Sequence, residues 1–448
     1  MLFSKMIKSV AKLSVITGMT AVLAGCTNPA TNSVFSSIKK EVLLEEASIN
    51  GYINSIVRYT DSDGKEFLYL QNGRIYYKQV SKDSDISDLS NNNTSKAWTY
   101  DTKAPEKLSY SNENNLYSGW NIYKLASDDK YIYALGYQPT YNEKYSRNVP
   151  TEIKLFYCDG VGNEWKEVES VNAAIKDYIN HLDSDMFMMD ASIHLFCTNA
   201  PQKAHRKAYI RIGGGTPSTS SSTSEEQKAP NYEENYGNRS YGNYGILKLD
   251  GGETSTDTAN TISAGTNEAT FKTLSAYWFN GDIYFMENVA VNTNETKSAD
   301  ANWVYYGSGK TLISFTKDAF TTAGNKIPET TSSTSSNGAS GKIIAIAVTK
   351  DSILLGTEEY GAYRLKRESD GTPAADTTSF STNGDSVMVS PYIIRMIFCT
   401  DPSIGEEDTG SALYSSMQFR YTQSYASADY DNVGLWSYYA WRNNWNRE

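Results

Sequence analysis

Few residues in this chain have the type and spacing to do chemistry, and the best placed is a thiol near the N-terminus. Cys26 closes an apolar stretch, Val15 to Ala24, that follows three lysines, Lys5, Lys8 and Lys12. Three further cysteines each end an apolar run: Cys158 after Leu155-Phe156-Tyr157, Cys197 after His194-Leu195-Phe196, and Cys399 after Ile397-Phe398. Those positions suit small buried hydrophobes at strand ends. One disulfide among the three is open in an exported chain, and it would leave an odd thiol. No C-x-x-C spacing occurs, so a zinc site is not expected. His181, His194 and His205 are too few and too loosely spaced for a metal triad, and His194 alternates with apolar neighbours as a strand residue does. Neither H-E-x-x-H nor G-x-S-x-G is present, so neither a zinc-peptidase helix nor a nucleophile elbow is expected. No catalytic constellation stands out, and the sequence asks for no cofactor and no metal.

The segment around Cys26 resembles the lipobox of bacterial lipoproteins. A basic n-region, an apolar stretch too short to span a bilayer and the tetrapeptide Leu23-Ala24-Gly25-Cys26 carry the resemblance. It implies thioether diacylation at Cys26 and cleavage just before it, with residues 1–25 lost as a signal peptide. Two or three acyl chains anchor stably where one alone binds only marginally. The resemblance also implies sorting toward an outer membrane, since Thr27 rather than Asp follows the cysteine. The expected home is therefore a cell membrane, reached by lipid, at the outer membrane or cell surface.

Other motifs resolve into turns. Gly307-Ser308-Gly309-Lys310-Thr311 ends like a P-loop, but Val304 stands where the first glycine belongs, and a strand-like run follows instead of a helix. Asp61-Ser62-Asp63-Gly64-Lys65-Glu66 resembles a short calcium loop without its downstream glutamate, and a tight turn between two strands explains it better. Asp159-Gly160-Val161-Gly162-Asn163-Glu164-Trp165 loosely resembles the Asp-box hairpin of sialidase-type propellers, a structural motif in its family, with the Asp–Trp separation one residue too long. The C-terminal Trp436, Tyr438, Tyr439, Trp441 and Trp445 fit either packing in a last sheet with one face buried or a stacking surface for a sugar or a protein, with packing favoured.

The elements that must carry these residues are strands. The chain has 448 residues with 34 Tyr and 8 Trp against 11 Pro, and Leu-rich helical stretches are nearly absent. The formal charge is −11, and loss of residues 1–25 would remove three lysines and no acid. An acidic chain without a Lys/Arg run has no general attraction to nucleic acid. Residues 26–40 read as a flexible polar tether and 41–448 as one patterned domain.

Within that domain a turn residue followed by an apolar–aromatic run returns, centred on Ile75, Ile132, Ile193, Ile283, Ile353 and Leu413. Two wider gaps coincide with polar Ser/Thr-rich stretches near 213–240 and 328–341, expected to be disordered insertions. A further strand is expected after most copies, as in Ile153 to Tyr157, Tyr244 to Leu249, Leu312 to Phe315, Gly361 to Leu365 and Gly434 to Tyr439, and one short helix over Asn172 to Leu182. About six such units resemble the blades of a β-propeller. The resemblance implies an all-β fold of antiparallel four-stranded blades, six in number with seven as the other count; packed β-sandwiches are the alternative fold. Ring closure would bring Val42 to Tyr59 near residues 430–446, with N- and C-terminal strands sharing a blade.

The functional expectation is a lipid-anchored binding or scaffolding module. It would act through loops on one rim, among them Ser81–Lys107, Gln138–Pro150 and the two insertions. The partner would be a protein or glycan. Two other readings stand beside it: a carbohydrate-active enzyme of sialidase or glycosidase type, and an assembly component docking to a membrane protein.

Overall fold

The computed structural model describes residues 49, 51–80, 98–113, 116–142, 147–180, 193–212, 245–255, 273–279, 282–288, 303–307, 310–315, 343–357, 361–367, 373–379, 393–400, 412–417, 433–439 and 444–447. The described chain is mostly β. It forms six antiparallel four-stranded sheets, each built from four strands consecutive in sequence, and one two-stranded hairpin.

The first sheet holds β1 (Ile56–Thr60), β2 (Glu66–Gln71), β3 (Ile75–Val80) and β4 (Thr99–Tyr100). A hairpin of β5 (Ser109–Ser111) and β6 (Leu116–Ser118) follows. The second sheet holds β7 (Asn121–Ser127), β8 (Ile132–Asn142), β9 (Arg147–Cys158) and β10 (Lys166–Glu167), and helix α1 (Glu169–Asn180) leads out of it. The third holds β11 (Ile193–Cys197), β12 (Ala208–Ile212), β13 (Gly245–Asp250) and β14 (Glu253–Ser255). The fourth holds β15 (Thr273–Phe279), β16 (Asp282–Asn288), β17 (Trp303–Gly307) and β18 (Lys310–Phe315). The fifth holds β19 (Ile343–Val348), β20 (Ser352–Thr357), β21 (Ala362–Arg367) and β22 (Pro373–Ser379). The last holds β23 (Ile397–Cys399), β24 (Ala412–Met417), β25 (Gly434–Tyr439) and β26 (Asn444–Arg447).

The repeat in the structure has a different phase from the one read in the sequence. Ile132, Ile283, Ile353 and Leu413 all lie in second strands, but Ile75 opens a third strand and Ile193 a first one. The counterparts in phase are Phe67 in β2 and Tyr209 in β12. First, second and third strands of these sheets alike carry apolar and aromatic residues next to turns, so a turn-plus-strand pattern cannot tell one of these positions from the next. A sharper marker sits just after the first strand. Asp61, Asp128, Thr198 and Thr349 each donate a backbone N–H to the last residue of the loop, at 3.0, 3.1, 3.0 and 2.8 Å. The side-chain oxygen of each then accepts that same residue's N–H, from Lys65 at 2.8 Å, Tyr131 at 2.6 Å, Lys207 at 3.0 Å and Ser352 at 3.0 Å. The loop is closed from both sides by one short polar residue, a role that suits Asp and Thr.

First strands touch one another across sheets: β1 with β7, β7 with β11, β11 with β15, and β19 with β23. The buried side chains of the first three sheets form one cluster that includes Val57, Tyr69, Leu125, Tyr133, Ile193 and Ile210. A second cluster joins the two ends of the chain. Ile49, Ile53, Ile56, Leu68 and Leu70 pack with Met396, Phe398 and Leu435, and Leu435 donates its N–H to the Ile49 carbonyl at 3.2 Å. The ends therefore meet as expected, but by face-to-face packing. Among the described strands, the first and last sheets each take all four from their own end of the chain, and none is shared between the termini.

The expected short helix is present as α1, starting three residues earlier than its predicted N-terminus. Val171, Ile175 and Tyr178 share one face and are buried in the main cluster. Asn172 pairs with the edge of β9: its Oδ1 accepts the Leu155 N–H at 2.7 Å and its Nδ2 donates to the Leu155 carbonyl at 3.3 Å. The helix thus covers the strand edge that two-residue β10 leaves open.

The expected loop Gln138–Pro150 is a strand pair. Beyond Tyr137↔Ile153 the β8–β9 ladder runs on through Pro139↔Pro150 to Asn142↔Arg147, with a register shift at Gln138/Pro139. The paired prolines are tolerated because this ribbon has open edges. The five expected strands are all present: four are the third strands β9, β13, β21 and β25, and Leu312 to Phe315 lies in the fourth strand β18. The insertions near 213–240 and 328–341, the signal segment 1–25 and the tether 26–40 lie outside the described residues.

Candidate functional site

The densest polar arrangement lies where the first strands meet. Arg206, fully buried in the β11–β12 loop, reaches across to the first sheet. Its Nη1 donates to Thr60 Oγ1 at 2.6 Å and its Nη2 to Glu66 Oε1 at 3.1 Å. Its remaining contacts fold its own loop, to the Ala200 carbonyl at 2.8 Å and the Pro201 carbonyl at 2.7 Å. Burial holds this guanidinium below its ordinary range, to about 10, with the neighbouring Arg58 acting in the same direction. Arg58 on β1 takes the other oxygen of Glu66 at 3.1 Å and also donates to the Thr400 carbonyl of the last sheet. Asn199 ties the same loop to β1, accepting the Arg58 N–H at 3.2 Å and donating to the Ile56 carbonyl at 3.0 Å. It does so in a left-handed conformation, φ 51°, that Asn tolerates. Ser127 of β7 donates to the Arg58 carbonyl at 2.6 Å. Residues from the first, second, third and last sheets thus close one end of the junction. Both oxygens of Glu66 are engaged, so the network is a structural clasp rather than a proton-transfer site.

A second set of polar contacts ties β7 to the segment before β1. Lys124 on β7 donates to the Asn54 carbonyl at 3.0 Å, and Asn54 Nδ2 donates to the Tyr123 carbonyl at 3.3 Å. Lys124 keeps part of its surface accessible, yet desolvation pushes its pKa down to about 8, against an opposing pull from Cys197, and the positive charge of Arg395 adds to the lowering. Sequence reading passed over Arg58, Lys124, Arg206 and Arg395 as scattered basic residues. Their partners lie 70 to 342 residues away in the chain, which no local spacing could reveal.

A second feature stands on the outer side. The β8–β9 ribbon and the β5–β6 hairpin lie against each other. Gln138 Nε2 donates to the Gly119 carbonyl at 2.7 Å, pinning the two together. Gly119 itself, at φ +73°, passes so close to Lys107 that a Cβ would lie 2.5 Å from its carbonyl oxygen. The two hairpins present Tyr110, Leu116 and Tyr141, which are 49, 65 and 58 % exposed. Tyr110 packs its ring on Tyr117 at 4.8 Å.

The motif residues behave as structural parts. Cys158, Cys197 and Cys399 are buried and none forms a disulfide, and burial pushes the Cys158 and Cys197 thiols up to about 11, away from thiolate chemistry. Cys26 lies outside the described residues, as do His181 and Trp441. His194 sits in β11 with its ring 5.8 Å from Phe196, and His205 lies in a short helical turn where its carbonyl accepts the Thr198 hydroxyl at 2.8 Å. Gly307 pairs with Lys310 across the β17–β18 turn, and Asp61 closes the β1–β2 turn, so neither segment is a ligand loop. The 159–165 segment joins β9 to β10; Asn163 Nδ2 donates to Asp159 Oδ1 at 2.9 Å and Trp165 Nε1 donates to Asp101 Oδ2 at 3.0 Å. Trp436 and Tyr438 are buried, and so are their neighbours Leu435 and Ser437, so β25 is covered on both faces rather than one. Among the described residues no group of His, Cys, Asp and Glu is placed to hold a metal ion, and no helix is long and apolar enough to cross a membrane.

No family model and no curated protein matches the chain. Among solved structures it is similar to YCF48 from Cyanidioschyzon merolae, at 10% identity and TM-score 0.29 over 88% of this chain and 97% of that one. Sqt1 from Saccharomyces cerevisiae matches at 8% identity and TM-score 0.28 over 80% of each chain. A glycosyl hydrolase from Bacteroides ovatus matches at 9% identity and TM-score 0.27 over 87% of this chain and 84% of that one. Scores this low carry no argument about fold or activity.

Proposed function

We propose that this chain is a lipid-anchored envelope protein whose six sheets are the blades of a β-propeller, and that it binds a protein partner through its rim. The pair of projecting hairpins carries the reading. Tyr110, Leu116 and Tyr141 are large and exposed on two hairpins that touch each other, one of which extends beyond its sheet. Aromatic residues held on rigid ribbons are what interface hot spots are made of. An exposed leucine favours a protein over a glycan, because stacking on sugars has no use for it. The ring reading is supported by first strands in contact, by sheets in chain order and by the first sheet packed on the last. The anchor rests on the tetrapeptide Leu23-Ala24-Gly25-Cys26.

A photo-crosslinking residue placed at Tyr141 in the full chain tests the rim. In intact cells it should trap one envelope protein, and Leu116→Asp should abolish the adduct while the protein stays folded. A crosslink to glycan, or an adduct indifferent to Leu116→Asp, would overturn the reading. For the anchor, Cys26→Ala should eliminate metabolic labelling with an acyl-chain probe; labelling that persists rules it out.

A further inference from the structure

We infer that the partner of the rim hairpins is a protein embedded in the membrane that holds the lipid anchor. The inference rests on the rim and anchor readings above and adds an orientation to them. The β7–β8 ladder runs from Ser127↔Ile132 at one end to Asn121↔Tyr137 at the other. The β8–β9 ladder continues past Tyr137 to Asn142↔Arg147. At about 3.3 Å per residue, Tyr141 therefore stands roughly 13 Å beyond the Asn121 end. The N-terminal segment enters at that same end. Ile122 donates its N–H to the Gly73 carbonyl at 3.3 Å, and Gly51 passes Asn72, whose Cβ lies 3.9 Å from where a Cβ on Gly51 would stand. Asn54 and Ser55 bond Tyr123 and Leu125, at 3.3 and 2.8 Å, and Arg58 bonds Ser127, at 2.6 Å. So β1 leads away from the ribbon as the chain proceeds. The Arg206 clasp on Thr60 and the Asp61 turn occupy the opposite end.

The chain between lipid and fold is too short to undo this orientation. Twenty-two residues, 27–48, separate Cys26 from Ile49. Drawn out fully, at about 3.5 Å each, they reach about 80 Å. A compact domain of about 400 residues has a radius of gyration near 21 Å and an outer radius of roughly 27 Å, so the path around it from one end to the other is about 85 Å. The ribbon end is thus held toward the anchoring membrane. Pro139 and Pro150 oppose each other there. Neither has an N–H, so the pair is of the non-hydrogen-bonded kind whose backbone groups face outward. Each outer edge of the ribbon then lacks a donor that an added strand would need. Contact falls to side chains, with Tyr110, Leu116 and Tyr141 asking for apolar pockets that carry acceptors for the hydroxyls. The bilayer itself is the weaker occupant. An acidic chain, at −11, gains nothing from anionic headgroups, and one leucine with two tyrosines makes a small apolar foot.

Photo-crosslinking residues placed singly at Tyr141 and at Asp63, which is exposed in the β1–β2 turn at the opposite end, test the inference in the full chain in intact cells. The protein trapped at Tyr141, identified by mass spectrometry, should resist alkaline carbonate extraction in cells that lack this chain, and should itself take up no acyl-chain probe. Asp63 should give at most a tenth of that adduct. Deleting residues 28–39 leaves about 38 Å of chain between lipid and fold, and the Tyr141 adduct should keep at least half its yield. A trapped protein that carbonate releases, or loss of the adduct from the shortened but still acylated chain, would overturn the inference and leave the rim reading standing. A stronger adduct from Asp63 would overturn the orientation. An adduct with lipid alone, or none, would overturn both readings of the rim. Failure of the anchor shows separately, as absence of acyl labelling from the unaltered chain, and removes the inference with it.

Discussion

At the scale of single residues, the energetics turn on buried charge. Arg206 is enclosed completely and satisfies Thr60, Glu66 and two carbonyls of its own loop. A lysine there keeps the charge but has one donor centre in place of a rigid fork. Arg206→Lys should cost about 2–4 kcal/mol, the range of breaking a buried pair while leaving partners unsatisfied. Denaturant titration measures it; a loss below about 1 kcal/mol would mean the clasp is loosely held. Lys124 works in the opposite sense. Its folded pKa, near 8, lies below the ordinary 10.5, so folding must desolvate a charged ammonium. That penalty is complete below about pH 8, shrinks as pH rises, and vanishes above the unfolded pKa. Lys124→Met should therefore stabilise the protein at pH 7, by roughly 1–2 kcal/mol after allowance for partial exposure. The advantage should fade between pH 8 and 10.5, and a pH-independent difference would contradict it. Neither residue stood out in the sequence, because a lone Arg or Lys carries no pattern and its environment is assembled by distant strands.

At the scale of elements, much was legible and the phase was not. Apolar–aromatic runs between Asn-Gly and Asp-Gly turns marked many strands, and four-stranded antiparallel sheets follow from short connections between them. What failed was alignment of the repeat on Ile75 and Ile193, because successive strands of one sheet look alike. The residue after each first strand was the better key. Asp61, Asp128, Thr198 and Thr349 close their loops by the same pair of bonds, and Asn280 and Thr400 hold that place in the sequence after β15 and β23. The Gln138–Pro150 stretch read as loop because two prolines usually exclude a central strand, whereas a ribbon with free edges admits them. Contact between elements sets its own demand at Gly356. A Cβ there would lie 2.3 Å from the Ile394 carbonyl oxygen, where β20 passes the segment leading into β23. That obstacle is backbone and cannot rotate away. Gly356→Ala should destabilise by about 1–3 kcal/mol and lower the thermal midpoint, and an unchanged midpoint would show that the two sheets can separate without cost.

At the scale of the whole molecule, the junction of the two chain ends decides whether the sheets behave as independent modules. In an open array a terminal sheet could be removed with loss of only its own stability. Here Ile49, Ile53, Ile56, Leu68 and Leu70 of the N-terminal region are nearly inaccessible, at 0 to 2 % exposure, and their cover includes Met396, Phe398 and Leu435 from the other end. Full exposure of one such side chain costs about 1.5–3 kcal/mol. Even half of the sum over these five side chains approaches the 5–15 kcal/mol that holds an ordinary domain together. Arg58 would also lose its Thr400 acceptor. A chain ending at residue 392 should therefore fail to leave a stable five-sheet remnant. It should aggregate or unfold without a cooperative transition, and the segment 393–448 supplied in trans should restore solubility if the closure is made by packing alone. Size-exclusion chromatography and calorimetry of the truncated chain decide the matter. A monomeric fragment melting cooperatively near the full-length midpoint would show that the sheets form an open array. The contact of first sheet with last would then contribute little, and the clasp at Arg58 would have to persist without its Thr400 acceptor.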